Sequence, residues 1–254
     1  MKQIRGFREL FQYEDSTILI VFNFFLVLMK FIDFQKVMST PRLGRYLTAT
    51  GGNSRKAMTL YRLNLRLSQE LFTIISCFEV ALRNRIDQHY FSRLGTDWLR
   101  NSALPGGMFN NRHCGKTPYI ISEALRKLTT YTHPKLVAEM DFGFWRYTFA
   151  RHQFFAGGQS LLAIFTAKPI STRTNRYDHN YVFAELEKIN IFRNRIAHHE
   201  PVCFLPGHPT KDTTFSRRHY LLIRQLFQWM QIDEGDLLYG IDHITSVLND
   251  IDGL

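Results

Sequence analysis

Apolar residues recur at spacings of three and four through Leu63, Leu67, Leu71, Ile74, Phe78, Leu82 and Ile86. That is the period of an α-helix with one buried face. The stretch from about Ser54 to Leu94 therefore predicts one long helix or two in succession, since about 40 residues is long for a globular protein. Gly51 and Gly52 read as the loop before it, and Asn53 or Ser54 as its cap. A second helix carries its apolar positions at Phe183, Leu186, Ile189 and Ile196. Asp178 is placed to cap it, and it should stop near Glu200, because Pro201 disfavours helix at the residue before it.

Between these helices, residues 101–117 are rich in Gly, Asn and Pro and read as a loop. A short helix is expected from Tyr119 to Tyr131. Pro134 suits the first turn of another, and Lys135 to Arg151 encloses the aromatic run MDFGFWRYTF. Gly157 and Gly158 break that segment, and residues 171–178 form a second loop. Arg217 to Met230 and Asp236 to Leu248 read as closing helices. No series of positions alternates with period two, so the expected fold is mainly α.

The N-terminus stands apart. Residues 17–32, TILIVFNFFLVLMKFI, form an apolar run of sixteen broken by Asn23 and Lys30. A spanning helix needs about 20 apolar residues, and Glu9, Glu14 and Asp15 precede the run, unlike the start of a signal peptide. A membrane anchor, a buried helix and an extension outside the domain all remain open. The expected organisation is an extension over 1–38 and one helical domain over 39–254.

Charge changes the picture of partners. The chain carries a net +10, and seven basic residues with no acid fall between Phe34 and Gln69. A phosphate-facing surface and an ordinary solvated basic face both fit this; an anionic membrane surface is a third partner. Cys77, Cys114 and Cys203 are too few and too scattered for a disulfide framework or a Cys-x-x-Cys zinc site. This suits a reducing, cytoplasmic setting, with membrane association through residues 17–32 as the alternative. No cofactor is expected.

The chemistry concentrates in IFRNRIAHHEP, residues 191–201. Asn194 and His198 are four apart and share a helix face; Arg193 is turned from His198 by about 140°. An imidazole can take a proton from a hydroxyl near neutral pH, and a guanidinium can hold a phosphate with two hydrogen bonds. Together they are the groups needed to cleave RNA by attack of its own 2′-hydroxyl, without a metal ion. The same residues also read as the basic end of an ordinary helix. His199 is then a solvated neighbour, and an Arg195–Glu200 pair, five apart, would be loose. ALRNRIDQHY, residues 81–90, echoes the motif with Arg83, Asn84 and His89, either by chance or as a second helix facing the same cleft.

The segments LNLRLSQELFTIISCFEVALRNRID, VAEMDFGFWRYTF and FRNRIAHHEPV, in that order, resemble the Abi-like (abortive infection) family within the HEPN group of helical proteins. The resemblance runs from about Thr40 to about Leu248. It implies a HEPN-like multi-helix bundle whose Arg-x4-His ribonuclease motif falls on Arg193, Asn194 and His198. It further implies that Glu79, Arg83 and Asn84 line the same cleft, with Arg83, Asn84, Arg195 and His199 as RNA contacts. A homodimer would bring two motif helices together. The implied role is RNA cleavage in phage defence, of the abortive-infection or toxin–antitoxin kind, restrained by an antitoxin protein or a regulatory RNA. A non-catalytic RNA-binding or protein-interaction module is the alternative.

Overall fold

The computed structural model describes residues 29–254. Among the described residues it is mainly helical, with twelve α-helices and one 3-10 turn. The apolar run over residues 17–32 lies outside this span except for its last four positions. No helix of the described residues is long and apolar enough to cross a membrane.

The chain divides into two compact units between Tyr61 and Arg62. The first unit contains α1 (Phe31–Met38), α2 (Thr40–Ala49) and the first two turns of α3 (Ser54–Leu94). Its centre is aromatic. The Tyr61 ring meets Phe34 at 5.4 Å and Tyr46 at 5.0 Å, both edge-on, and its hydroxyl donates to Met38 Sδ at 3.3 Å.

The second unit is built on the rest of α3. This helix runs unbroken for 41 residues, about 60 Å at 1.5 Å per residue, where the apolar pattern left open a break into two. It contains neither Gly nor Pro, and Leu67, Leu71, Ile74, Phe78, Leu82, Ile86 and Tyr90 are almost wholly buried along one face. Tertiary burial over that length supplies the stability an isolated helix lacks. Gly95, at φ +87°, ends it.

Six helices follow: α4 (Trp98–Ser102), α5 (Lys116–Lys127), α6 (His133–Glu139), α7 (Phe142–Tyr147), α8 (Arg151–Ala156) and, after the 3-10 turn Leu161–Ile164, α9 (His179–Ala197). The expected helical stretch from Lys135 to Arg151 is interrupted at Met140. Asp141 leaves the helical path and its Oδ1 accepts the Phe144 N–H at 2.7 Å, starting α7 afresh. Asp178 caps α9 as expected, accepting from the N–H groups of Asn180 and Tyr181 at 3.0 Å each.

The chain closes with α10 (Thr214–Trp229), α11 (Glu234–Leu237) and α12 (Ile244–Asp252). The last two replace the single helix expected over 236–248, with Gly240 at φ +74° between them. Phe78 joins the layers: its ring meets Phe142 of α7 at 6.3 Å and Phe227 of α10 at 5.3 Å. Asn64, buried on α3, accepts the N–H groups of Val202 (2.8 Å) and Cys203 (3.2 Å), and Ser216 Oγ donates to the Val202 carbonyl at 2.6 Å. These bonds fix the turn into which α9 ends.

Candidate active site at the end of the motif helix

Three elements meet around Glu79. Helix α3 presents Glu79 and, one turn later, Arg83. The start of α7 supplies Asp141 and the Phe142 N–H, which hydrogen-bonds the Glu79 carboxylate, and α9 supplies Arg193. Burial pushes the Glu79 carboxyl above its ordinary value. Arg193 beside it pulls the other way, Asp141 pushes it up further, and Arg83 and the Phe142 N–H pull it down. The net direction is up.

Both arginines carry an unmet donor. The Nε–H groups of Arg83 and Arg193 are buried and have no hydrogen-bond acceptor. A buried donor left unpaired costs about 1–3 kcal/mol, so the arrangement is not what stability alone selects.

Asn194 and His198 lie elsewhere on the helix. Both are exposed. His198 is the C-cap residue of α9, and its N–H bonds the Asn194 carbonyl at 2.9 Å. His199 adopts φ +56°. Its N–H bonds the Ile196 carbonyl at 3.0 Å, and the Glu200 N–H bonds the Arg195 carbonyl at 2.9 Å. This pair of reversed bonds is the Schellman termination, whose left-handed position glycine usually fills. A histidine there costs about 1 kcal/mol. The left-handed residue stops α9 at Ala197, short of the end near Glu200 expected from Pro201 alone.

Arg195 is engaged in the same turn. Its Nε donates to Glu200 Oε2 at 3.1 Å, its Nη2 donates to the Pro201 carbonyl at 3.3 Å, and its guanidinium lies 5.0 Å from the Phe215 ring centre. The pairing with Glu200 is close rather than loose, because the helix has ended and helical spacing no longer sets the distance. Asn84 is exposed on α3. The echo of the motif on α3 is split: Arg83 faces the Glu79 cluster, whereas His89 Nε2 hydrogen-bonds Ser160 Oγ at 2.9 Å. Burial, then the Arg93 charge, lowers the His89 pKa.

The structure thus gathers Glu79, Arg83 and Arg193, and sets Asn194, His198 and His199 on the exposed helix end. Asp141 and the Phe142 N–H were not singled out from sequence as site residues. Their only signal was an Asp opening the aromatic run FGFWRY, a pattern that also reads as a simple helix cap. A groove of about 870 Å³ between α9 and α10, lined by Lys188, Ile191, Phe215, Arg218, Leu221 and Arg224 among others, is not lined by Arg193, Asn194 or His198. Among the described residues no group of three or more His, Cys, Asp or Glu side chains can hold a metal ion. No family model matches the chain, and neither a curated protein nor a solved structure is significantly similar to it.

Proposed function

We propose that the chain is a metal-independent endoribonuclease of the Abi-like, HEPN-type kind, working in bacterial phage defence. The observation that carries this reading is the buried, unaccepted Nε–H of Arg193, one residue before the exposed Asn194 and five before the exposed His198 of the same helix end. In the reaction, His198 removes the proton of a 2′-hydroxyl. The 2′-oxygen bonds to the adjacent phosphorus, and the bond to the 5′-oxygen breaks. A 2′,3′-cyclic phosphate remains, and the departing 5′-oxygen takes up a proton. Arg193 faces the charge gathering on the phosphoryl oxygens, and Asn194 orients the imidazole or the phosphate.

Arg193 and His198 are turned about 140° apart on one helix. A homodimer answers this, with one protomer's guanidinium and its partner's imidazole flanking the same phosphate. An antitoxin protein or a regulatory RNA restrains the activity.

A second reading rests on a specific observation: Arg193 lies beside the carboxylate of Glu79, which Asp141 and Arg83 also adjoin. On that reading the chain is a non-catalytic RNA-binding or interaction module. The test is to incubate the purified full-length protein with RNA in excess chelator. Cleavage is expected from the wild type and a loss of about 10²-fold or more from His198→Ala. Cleavage by His198→Ala at the wild-type rate removes the proposed base, and RNA binding without products from the wild type selects the module.

A further inference from the structure

The loop before α5 and helix α8 bring two histidines face to face. The His113 and His152 rings are 5.1 Å apart and 17° from parallel, and both residues are exposed. Phe155, one turn after His152, is 50% exposed. With Asn111, Arg151 and Ala156 they line an open cavity of about 490 Å³. Arg112 Nε donates to His113 Nε2 at 3.0 Å, which holds a guanidinium at the edge of the stacked pair.

The platform is firmly mounted. Phe154 stacks on His179 at 4.5 Å and 17°, His179 Nδ1 pairs with the Phe149 carbonyl at 3.1 Å, and Gln153 donates to Thr117 Oγ1 at 3.1 Å. The buried neighbours of His152 and Phe155 therefore fix α8 while those two side chains stay in solvent. The walls are also free of acid. Residues 98–122 contain three Lys or Arg and no Asp or Glu; residues 142–177 contain five and none.

One exposed Phe needs no explanation. An exposed Phe beside stacked imidazoles, rimmed by Arg112 and Arg151 on acid-free segments, combines π-faces for bases with cations for phosphates. We propose that this cavity is a subsite for single-stranded RNA. A base stacks on Phe155 and the His113–His152 pair, and Arg151 and Arg112 meet the flanking phosphates. This rests on the ribonuclease reading and narrows its substrate to an unpaired strand, because a duplex keeps its bases stacked on one another. It also sets a length. Helix α9 starts at His179, under the subsite, and its 19 residues cover about 28 Å. At about 3.4 Å per stacked nucleotide, a strand joining the subsite to the His198 end needs about eight nucleotides.

The experiment is fluorescence anisotropy on the full-length protein carrying His198→Ala, which leaves the strand uncut. The probes are a labelled unstructured RNA about twelve nucleotides long, beyond that span, and a duplex of the same length. His152→Ala and Phe155→Ala are added singly and together, with circular-dichroism melting as the control for folding. The double variant is expected to bind the single strand at least 10-fold more weakly, the order expected for one lost stacking partner. Binding of the duplex is expected to stay the same. Undiminished single-strand binding by a folded double variant overturns the subsite and leaves the ribonuclease reading standing if the wild type still cleaves. Absence of RNA binding by any form overturns both.

Discussion

Two carboxylates of the second unit sit beside arginines, and they respond in opposite ways. Glu234 is met by three side-chain donors. Its Oε1 accepts from Arg224 Nε (3.1 Å), Arg224 Nη2 (3.0 Å) and Gln228 Nε2 (2.8 Å). Burial raises its pKa, but its own backbone N–H, Gln228 and Arg224 outweigh that, and the net direction is down. Glu79 has Arg193 and Arg83 for neighbours, yet the Nε–H of each arginine is buried and unaccepted, and burial wins: the net direction is up. Charge proximity alone does not make a satisfied ion pair; geometry and the number of donors decide. The Glu234 site is a brace between α10 and α11. The Glu79 site holds guanidinium capacity that the fold does not use.

The largest stability effect should fall on the brace. Glu234→Ala removes an acceptor that three donors share, and Arg224 is 40% exposed, so solvent recovers part of the loss. Destabilisation of about 2 kcal/mol is expected by urea unfolding. A value near zero would mean that the closed network stabilises no more than an exposed surface pair.

A smaller effect separates the two sites by pH. Glu79 has a folded pKa above its ordinary 4.5. Its stabilising term is present below 4.5 and is lost as pH rises through the folded value. Glu234 has a folded pKa below 4.5, so its term is present above 4.5 and is lost as pH falls through the folded value. Thermal melts across the acid and neutral range should therefore give opposite trends. Relative to wild type, Glu79→Gln gains melting temperature as pH rises, and Glu234→Gln loses it. Parallel trends in the two variants would abolish the distinction.

Local pattern made much of the fold legible in the sequence. The apolar period along 63–86 predicted the face of α3 that is buried, and Asp178 caps α9 through the N–H groups its position implied. Two boundaries were missed, one marked only by a lone Asp and one by no composition signal. Asp141 breaks the helix inside an apolar run, and His199 takes the left-handed position that glycine usually marks. Residue types and spacing singled out Arg193, Asn194 and His198 as candidates. The gathering of Arg193 and Asp141 around Glu79 was not legible, because it depends on how α3, α7 and α9 pack rather than on any one segment. Arg195 shows the same limit: its spacing implied only a loose pairing with Glu200, and the folded turn engages it closely with Glu200, Pro201 and Phe215.

The central claim is that the spare guanidinium beside Glu79 serves an RNA phosphate. Its most direct test is the single-turnover cleavage rate of Arg193→Ala on an unstructured RNA in excess chelator, with folding checked by thermal melting. The account predicts a fall of about 10²-fold or more in a folded protein; cleavage at the wild-type rate would contradict it.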